Sequence, residues 1–508
     1  MKRRGFLWGG AACLALPPHL ALGQGQDPER SLIETARKAA TRPYRPDRTP
    51  LSAPFDGASY DSYRGIRTRP GLSGDLALGP EFRADMLPQG WLFREPVTID
   101  LPGHDTRFSP SLYDFDNRYF GADAAGQDAG SMGFSGLRLR HRLNAPDTWD
   151  DVLVLQGASY FRALAKDTVY GLSARALSLG TGGPTPEEFP RFTRIVVFGT
   201  QDGLRFGCLV DSPRASAALI ATLHPGPRTV LDCALHLFPR VPLEDVGIAP
   251  LTSMFQHNDI GPARIDDFRP AVHDSDVLVV DNGAGERLWR PLANPANVQM
   301  SAFADRGPRG FGLVQTPTDF ARFRDQEGAY HRRPSAWVAP KGDWGAGAVM
   351  LLEIPTENEF ADNIVAFWRP RDRLEPGAHR FDYRLDVTAP GPDPLPPRPE
   401  PFWPARSASG VEPNTGNARL FVIDFHTSGP LPDMIGADLD IGASQGTVSG
   451  QALYPLEARP GTWRASFLFT PKAGQEVAEL RLRLRGQDGT PLAPVWLHRW
   501  TRTAQGGV

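Results

Sequence analysis

Two clusters of carboxylic acids, set among aromatic rings and arginines, are the groups in this sequence best suited to chemistry. The first reads Phe268-Arg269-Pro270-Ala271-Val272-His273-Asp274-Ser275-Asp276, and the second reads Glu353-Ile354-Pro355-Thr356-Glu357-Asn358-Glu359-Phe360-Ala361-Asp362-Asn363. Two carboxyl groups that meet in a cleft, one protonated and one ionised, can act as general acid and general base. Glycoside hydrolysis uses such a pair. Tyr330, Trp337, Trp344 and Trp368 are near both clusters in sequence, and flat rings stack on sugar faces. Any one of these tryptophans, or Trp289, would be a core residue in an average protein; only their crowding beside the acids favours a sugar groove.

Within the first cluster, Asp274 and Asp276 are two apart, so on a strand their side chains share a face. Like charges on one face raise at least one pKa, and Arg269 could offset the charge. His273 and Ser275 would then face the other way. The alternative is a turn in which the aspartates bond their own backbone. His257, His273, Asp274 and Asp276 could also supply hard metal ligands, but their spacing matches no known metal motif. Neither a metal nor another cofactor is expected.

In the second cluster, Val349–Ile354 reads as a strand that Pro355 ends, and Ile364–Trp368 resumes one. Glu357, Glu359 and Asp362 would lie on the short loop between, held at both ends, which favours positioned carboxylates over a solvated acidic loop. No Gly-x-Ser-x-Gly elbow supports a serine nucleophile.

The elements that must position these groups read as strands. Glycine and proline are frequent, 52 and 50 of 508 residues, and the apolar runs between them are short, the pattern of many strands joined by turns. Leu137–Leu143 and Leu480–Arg485 alternate leucine with arginine, so the leucines share one face. For each arginine taken singly, solvent is the expected environment. Ile195–Phe198 and Val277–Val280 are β-branched runs suited to buried strands. Ser31–Thr41 is the clearest helix candidate. Residues 389–401 are too rich in proline for a helix or central strand and read as a stiff connector. The roughly one hundred residues beyond it match one small sandwich, with strands expected at 418–425, 446–453, 461–470, 479–485 and 495–501. The expected organisation is all-β: a β-sandwich domain over 24–388, a linker over 389–406 and an immunoglobulin-like domain over 407–508.

Residues 1–23 read as an export signal. Lys2-Arg3-Arg4 precedes an apolar stretch, and Ala21-Leu22-Gly23 is a small-residue cleavage site. The paired Arg3 and Arg4 give it twin-arginine character, implying export of a folded chain to the periplasm. The apolar run is shorter than the about 20 residues that span a bilayer, so no stable membrane insertion is expected. The net charge of −3 comes from interleaved acids and bases, unlike a nucleic-acid footprint. A near-neutral polar substrate suits this balance. In an oxidising compartment Cys208 and Cys233 could pair; the alternative is two buried thiols.

Several motifs together resemble the periplasmic glucan biosynthesis proteins, the OpgG/OpgD (MdoG/MdoD) family. They are Phe108-Ser109-Pro110-Ser111-Leu112-Tyr113-Asp114-Phe115, Gln156–Ala163, Tyr170–Leu177, Glu187-Glu188-Phe189-Pro190, His273-Asp274-Ser275-Asp276, Leu288–Leu292, Arg309–Leu313, Arg333-Pro334-Ser335 and Asp362–Trp368. They run in order along most of the chain. The twin-arginine signal looks like the OpgD branch. The resemblance implies a galactose-mutarotase-like β-sandwich followed by an immunoglobulin-like domain. It implies action on the β-1,2-glucan of osmoregulated periplasmic glucans, by inverting hydrolysis as in glycoside hydrolase family 186. Transglycosylation or cyclisation by the same carboxylates, and a glucan-binding or scaffold role without catalysis, are the rival readings. By resemblance Asp362 is the general acid and Asp274 the general base, with Tyr330 and Glu359 at the substrate. Asp276, Arg269, Trp337, Trp344 and Trp368 complete the candidate site. The C-terminal domain is a candidate docking surface for a membrane glucan synthase. Val277 stands where the family commonly has glycine, so a different loop is expected there, and the stretch 256–267 is a candidate lid.

Overall fold

The computed structural model describes residues 27–46, 51, 55–126, 132–261, 266–391, 395–414 and 416–502. The export signal read from residues 1–23 lies outside them. The chain is all-β, with one sizeable helix at its start.

Two large sheets share one apolar core. The first runs Leu76–Ala77, Phe82–Pro88, Phe134–His141, Asp150–Gln156, Tyr160–Ala163, Ser173–Arg175, Val246–Ser253, Ile364–Pro370, Ala346–Glu353 and Gln299–Arg306, all antiparallel. The second carries Val277–Asp281 and Gly310–Val314 near its middle and the long hairpin Ala215–His224 with Arg228–Pro239 toward one end. The helix Pro28–Ala40 starts at Asp27, whose side chain accepts from the Glu29 amide. It lays Leu32 and Ala36 on Ala218, Ile220 and Phe238 of that hairpin.

Alternation decides which faces are buried, but it does not send every arginine to water. Leu137 and Leu139 point into the core. Arg138 and Arg140, on the opposite face, converge on the wholly buried Asp85, at 2.5 and 2.7 Å, and reach Asp151. A buried carboxylate is tolerable when paired this way, so these arginines are structural rather than solvent-facing. Cys208 and Cys233 are free thiols on strands separated by Ala215–His224. Burial raises both thiol pKa values, Cys233 to about 12, so they stay protonated and act as small apolar groups.

Beyond residue 402 the described residues form seven strands in two layers. Trp403–Val411, Arg419–His426, Thr462–Thr470 and Thr447–Pro455 make one sheet. Asp438–Ala443, Val477–Arg485 and Val495–Thr501 face it through Trp496 and Trp500, which pack on Phe421, Phe467 and Phe469. The strand Trp403–Val411 begins inside the segment expected as linker. The three-stranded layer is continuous with the second large sheet, because Val495 and Trp496 pair in parallel with Leu288 and Trp289. The C-terminal strands are thus hydrogen-bonded into the main sheet.

Glu353, the first acid of the second cluster, is buried rather than catalytic. It accepts from Arg290 at 3.0 Å and from the Ala293 amide at 2.7 Å, and both charged side chains are at most 2% exposed. Removing one partner of a buried ion pair costs about 3–5 kcal/mol. Glu353→Ala is therefore expected to lower unfolding free energy in a urea titration by that amount, against less than about 0.5 kcal/mol for a surface control such as Glu375→Ala.

Candidate active site

Asp274 follows the short strand Val272–His273, and its amide bonds the Met254 carbonyl at 2.8 Å. Its carboxylate is 6% exposed and accepts a charged hydrogen bond from the Arg333 guanidinium. Arg333 is itself held: its Nε and Nη2 donate to the Gly328 carbonyl at 3.2 and 3.0 Å. Its guanidinium lies 4.2 Å from the centre of the Tyr330 ring. The turn that presents Tyr330 has Ala329 in the left-handed region at φ 45°, a strained conformation of the kind that gathers at functional sites. Gln315 fixes both halves, donating from Nε2 to the carbonyls of His273 and Tyr330 at 2.8 and 2.9 Å. Its Oε1 must then accept from His273 Nδ1 at 2.7 Å. His273 stays neutral, its pKa lowered by burial to about 3.

From Tyr330 the network runs to the second cluster. The phenol donates to Glu359 Oε2 at 2.5 Å. Glu359 also accepts from Arg269 at 2.6 Å, while Arg269 binds Asp267 at 2.6 Å and Asp325 at 2.8 Å. Burial first, then the Glu359 hydrogen bond, raises the Tyr330 pKa, so the phenol keeps its proton and donates it.

Asp362 completes the group. Its loop is closed at the neck by Asn363, which is 2% exposed. Asn363 donates to the carbonyls of Phe255 and Ile354 and accepts from the Phe255 amide. The Ile354 amide bonds the Asn363 carbonyl at 2.8 Å. The expectation of a loop held at both ends follows from this one amide side chain. Asp362, just before it in sequence, has its side chain 30% exposed and Arg162 at 3.8 Å.

The two aspartates share a field. Burial raises the Asp274 pKa to about 6, Arg333 opposes the rise, and the charge of Asp362 adds to it. Burial also raises Asp362, against Arg162 and Arg333. The two carboxyls therefore titrate as a coupled pair. Two carboxyls with raised pKa values, steadied by two arginines, can hold and exchange protons near neutral pH.

The match to known proteins decides the family. The model of the family described as periplasmic glucan biosynthesis protein, MdoG, matches residues 29–500. The chain belongs to this MdoG family. It is 41% identical over 481 residues to "Glucans biosynthesis protein G" of Vibrio cholerae serotype O1, covering 93% of this chain and 86% of that one. Over the same length and with the same coverage it is 40% identical to the protein of that name from Shewanella sp. (strain MR-4) and to "Glucans biosynthesis protein G 1" of Shewanella oneidensis. These three carry the G designation rather than the D that the signal sequence suggested.

In this member of the MdoG family, Asp274, Asp362, Tyr330, Glu359 and Arg269 come together, and four other candidates do not. Asp276 is tied by Thr316, whose amide and hydroxyl donate to it at 2.7 and 2.6 Å. Its pKa is raised to about 6 by burial, not by Asp274, because the backbone between them is not a strand and gives them different partners. Trp337, Trp344 and Trp368 are core residues, 3%, 6% and 0% exposed. Trp337 lies over Gly310 and Gly312, and Trp368 over Gly347, glycines that leave room for an indole; Trp344 packs on Phe381 and Tyr383. The exposed rings beside the network are Phe268 and Phe360, 78% and 90% exposed. Val277 needs no glycine here: it begins a strand and pairs with Pro291 and Val314. The candidate lid is tied down where described, since Asp259 binds Arg406 at 2.7 Å and Arg322 at 2.8 Å. Residues 262–265 of that stretch lie outside the described residues. Sequence reasoning missed Arg162 and Arg333, although both lie in family motifs; a buried aspartate needing a cation was the available signal.

Arg333 lowers the Asp274 pKa, so its removal should raise it. Arg333→Gln is expected to move the carboxyl 13C titration of Asp274 upward by one unit or more from about 6. A titration at or below the wild-type midpoint would show that the guanidinium does not stabilise the carboxylate.

Proposed function

We propose that this member of the MdoG family is exported to the periplasm by its twin-arginine signal and hydrolyses β-1,2-glucan with inversion. The observation that carries this reading is a buried Asp274 bonded to Arg333 with the more exposed Asp362 beside Arg162, and burial raises both carboxyl pKa values. Asp362, at the accessible edge, gives a proton to the departing glycosidic oxygen. Asp274, buried beneath, takes a proton from the attacking water, directly or through hydroxyls. Inverting enzymes leave room for that water between their carboxyls. Arg333 keeps the base ionised, while Glu359, Tyr330 and Arg269 offer the donors and acceptors that sugar hydroxyls require.

These roles need the acid to keep its proton longer than the base. Glucan binding acts in that direction. Asp362 still has 30% of its side chain in solvent, and a sugar laid over it removes that water and raises its pKa further. Asp274, already buried, has little more to lose.

Asp362→Asn is expected to lose at least about a hundredfold of the reducing ends released from linear β-1,2-glucan, the scale of general acid catalysis. An activated aryl leaving group needs no acid, so an aryl β-1,2-gluco-oligosaccharide should restore much of the rate to Asp362→Asn and little to Asp274→Asn. Restoration of Asp274→Asn alone would exchange the roles; unchanged activity in both variants would refute the site.

The pH profile carries a sign. A base must be ionised, so kcat/KM should fall as pH drops through about 6, the value to which burial raises Asp274. A profile flat from pH 7 to pH 4.5 would contradict Asp274 as base.

A further inference from the structure

Two of the family motifs, Gln156–Ala163 and Glu187-Glu188-Phe189-Pro190, meet through Arg175, and Arg162 of the first lies beside Asp362. The strand Tyr160–Ala163 places Tyr160 and Arg162 on one face, being two residues apart. Arg162 reaches Asp362 at 3.8 Å, so Tyr160 stands on the same flank of the cleft. The Asp362 charge is among the influences that raise the Tyr160 pKa, after burial, while Arg175 opposes them.

Tyr160 is built in rigidly. It pairs in register with Arg175 on the neighbouring strand. The Arg175 guanidinium lies 4.9 Å from the centre of the Tyr160 ring and 5.1 Å from that of Phe189. Arg175 is 1% exposed, donates to Glu187 at 2.6 Å, and has no partner for its Nε and Nη2 among the described residues. Glu187 also accepts from Thr181 at 2.7 Å. A buried arginine left partly unsatisfied is costly. Here it holds two rings at a fixed spacing. Phe189 is 48% exposed, a large apolar face bare to water beside the Arg175 charge.

We infer that Tyr160, Arg162 and Phe189, stiffened by Arg175 and Glu187, form the subsite for the leaving side of the glucan. The inference rests on the proposed hydrolysis and follows its geometry. The anomeric carbon lies between the base-activated water and the departing oxygen, and that oxygen lies between the carbon and Asp362. The sugar beyond Asp362 is therefore the one that departs. Arg162 can donate to its hydroxyls, and the Phe189 ring offers an apolar face to the C–H side of the next glucosyl unit. Phe189 touches no reacting atom, so it is a positioning residue whose effect falls on substrate capture.

The test compares wild type, Phe189→Ala and Phe189→Trp on linear β-1,2-glucan, with affinity for the same glucan measured by calorimetry. Phe189→Ala is expected to raise KM and the dissociation constant about tenfold, with kcat within about threefold, the pattern of lost binding common to ground and transition states. Phe189→Trp should restore both. A merely structural role would lower the melting temperature of Phe189→Ala without this split or rescue. If wild type cleaves the glucan and Phe189→Ala matches it in KM, the subsite is refuted while the hydrolase reading stands. If wild type releases no product, hydrolysis is refuted and the leaving-side assignment falls with it; weaker binding by Phe189→Ala would then show a glucan contact only.

Discussion

The constraint on which this site depends is the cost of holding a carboxylate out of water. Asp274 is almost fully buried, and burial alone would drive it to the neutral acid. The Arg333 guanidinium, bonded to it, opposes that cost most, and the charge of Arg162 adds to the effect. Everything near it serves to keep that guanidinium in place: the Gly328 carbonyl on its far side, the Tyr330 ring beneath it, and the Gln315 amide that ties the Tyr330 turn to the Asp274 strand. The balance sits near neutral pH because neither burial nor the cation wins outright.

The sheets explain why two distant segments can meet with such accuracy. Asp274 lies where Val272–His273 gives way to Val277–Asp281, a strand in the second sheet. Asp362 lies immediately before Ile364–Pro370, a strand in the first. The two layers share one core. Asn363 bonds Phe255 and Ile354, which continue the two first-sheet strands flanking Ile364–Pro370. The position of Asp362 is thus set by backbone hydrogen bonds rather than by its own contacts.

The fold was legible because periodicity and turn chemistry carry it. The strands at 195–198, 277–280 and 364–368, and all five expected in the C-terminal sandwich, coincide with observed ones. The strand Trp403–Val411 escaped because prolines precede it and its apolar residues are sparse. The joining of the C-terminal layer to the main sheet through Trp289 and Trp496 escaped because parallel pairing leaves no local signal. In the site, Asp274, Asp362, Tyr330, Glu359 and Arg269 were reached through motif resemblance supported by residue type. The tryptophans misled because nearness in sequence is not nearness in space on alternating strands: Trp337 and Trp368 point to the core side. Arg162 and Arg333 were invisible to spacing arguments, since the need for them arises only once an aspartate is buried.

The central claim is that Asp274 and Asp362 feel each other's charge across one cleft. The most direct measurement is the 13C carboxyl titration of Asp274 in wild type and in Asp362→Asn. The account predicts that removing the neighbouring charge lowers the Asp274 midpoint from its wild-type value of about 6. A midpoint that does not move would mean that the two carboxyls do not share a site.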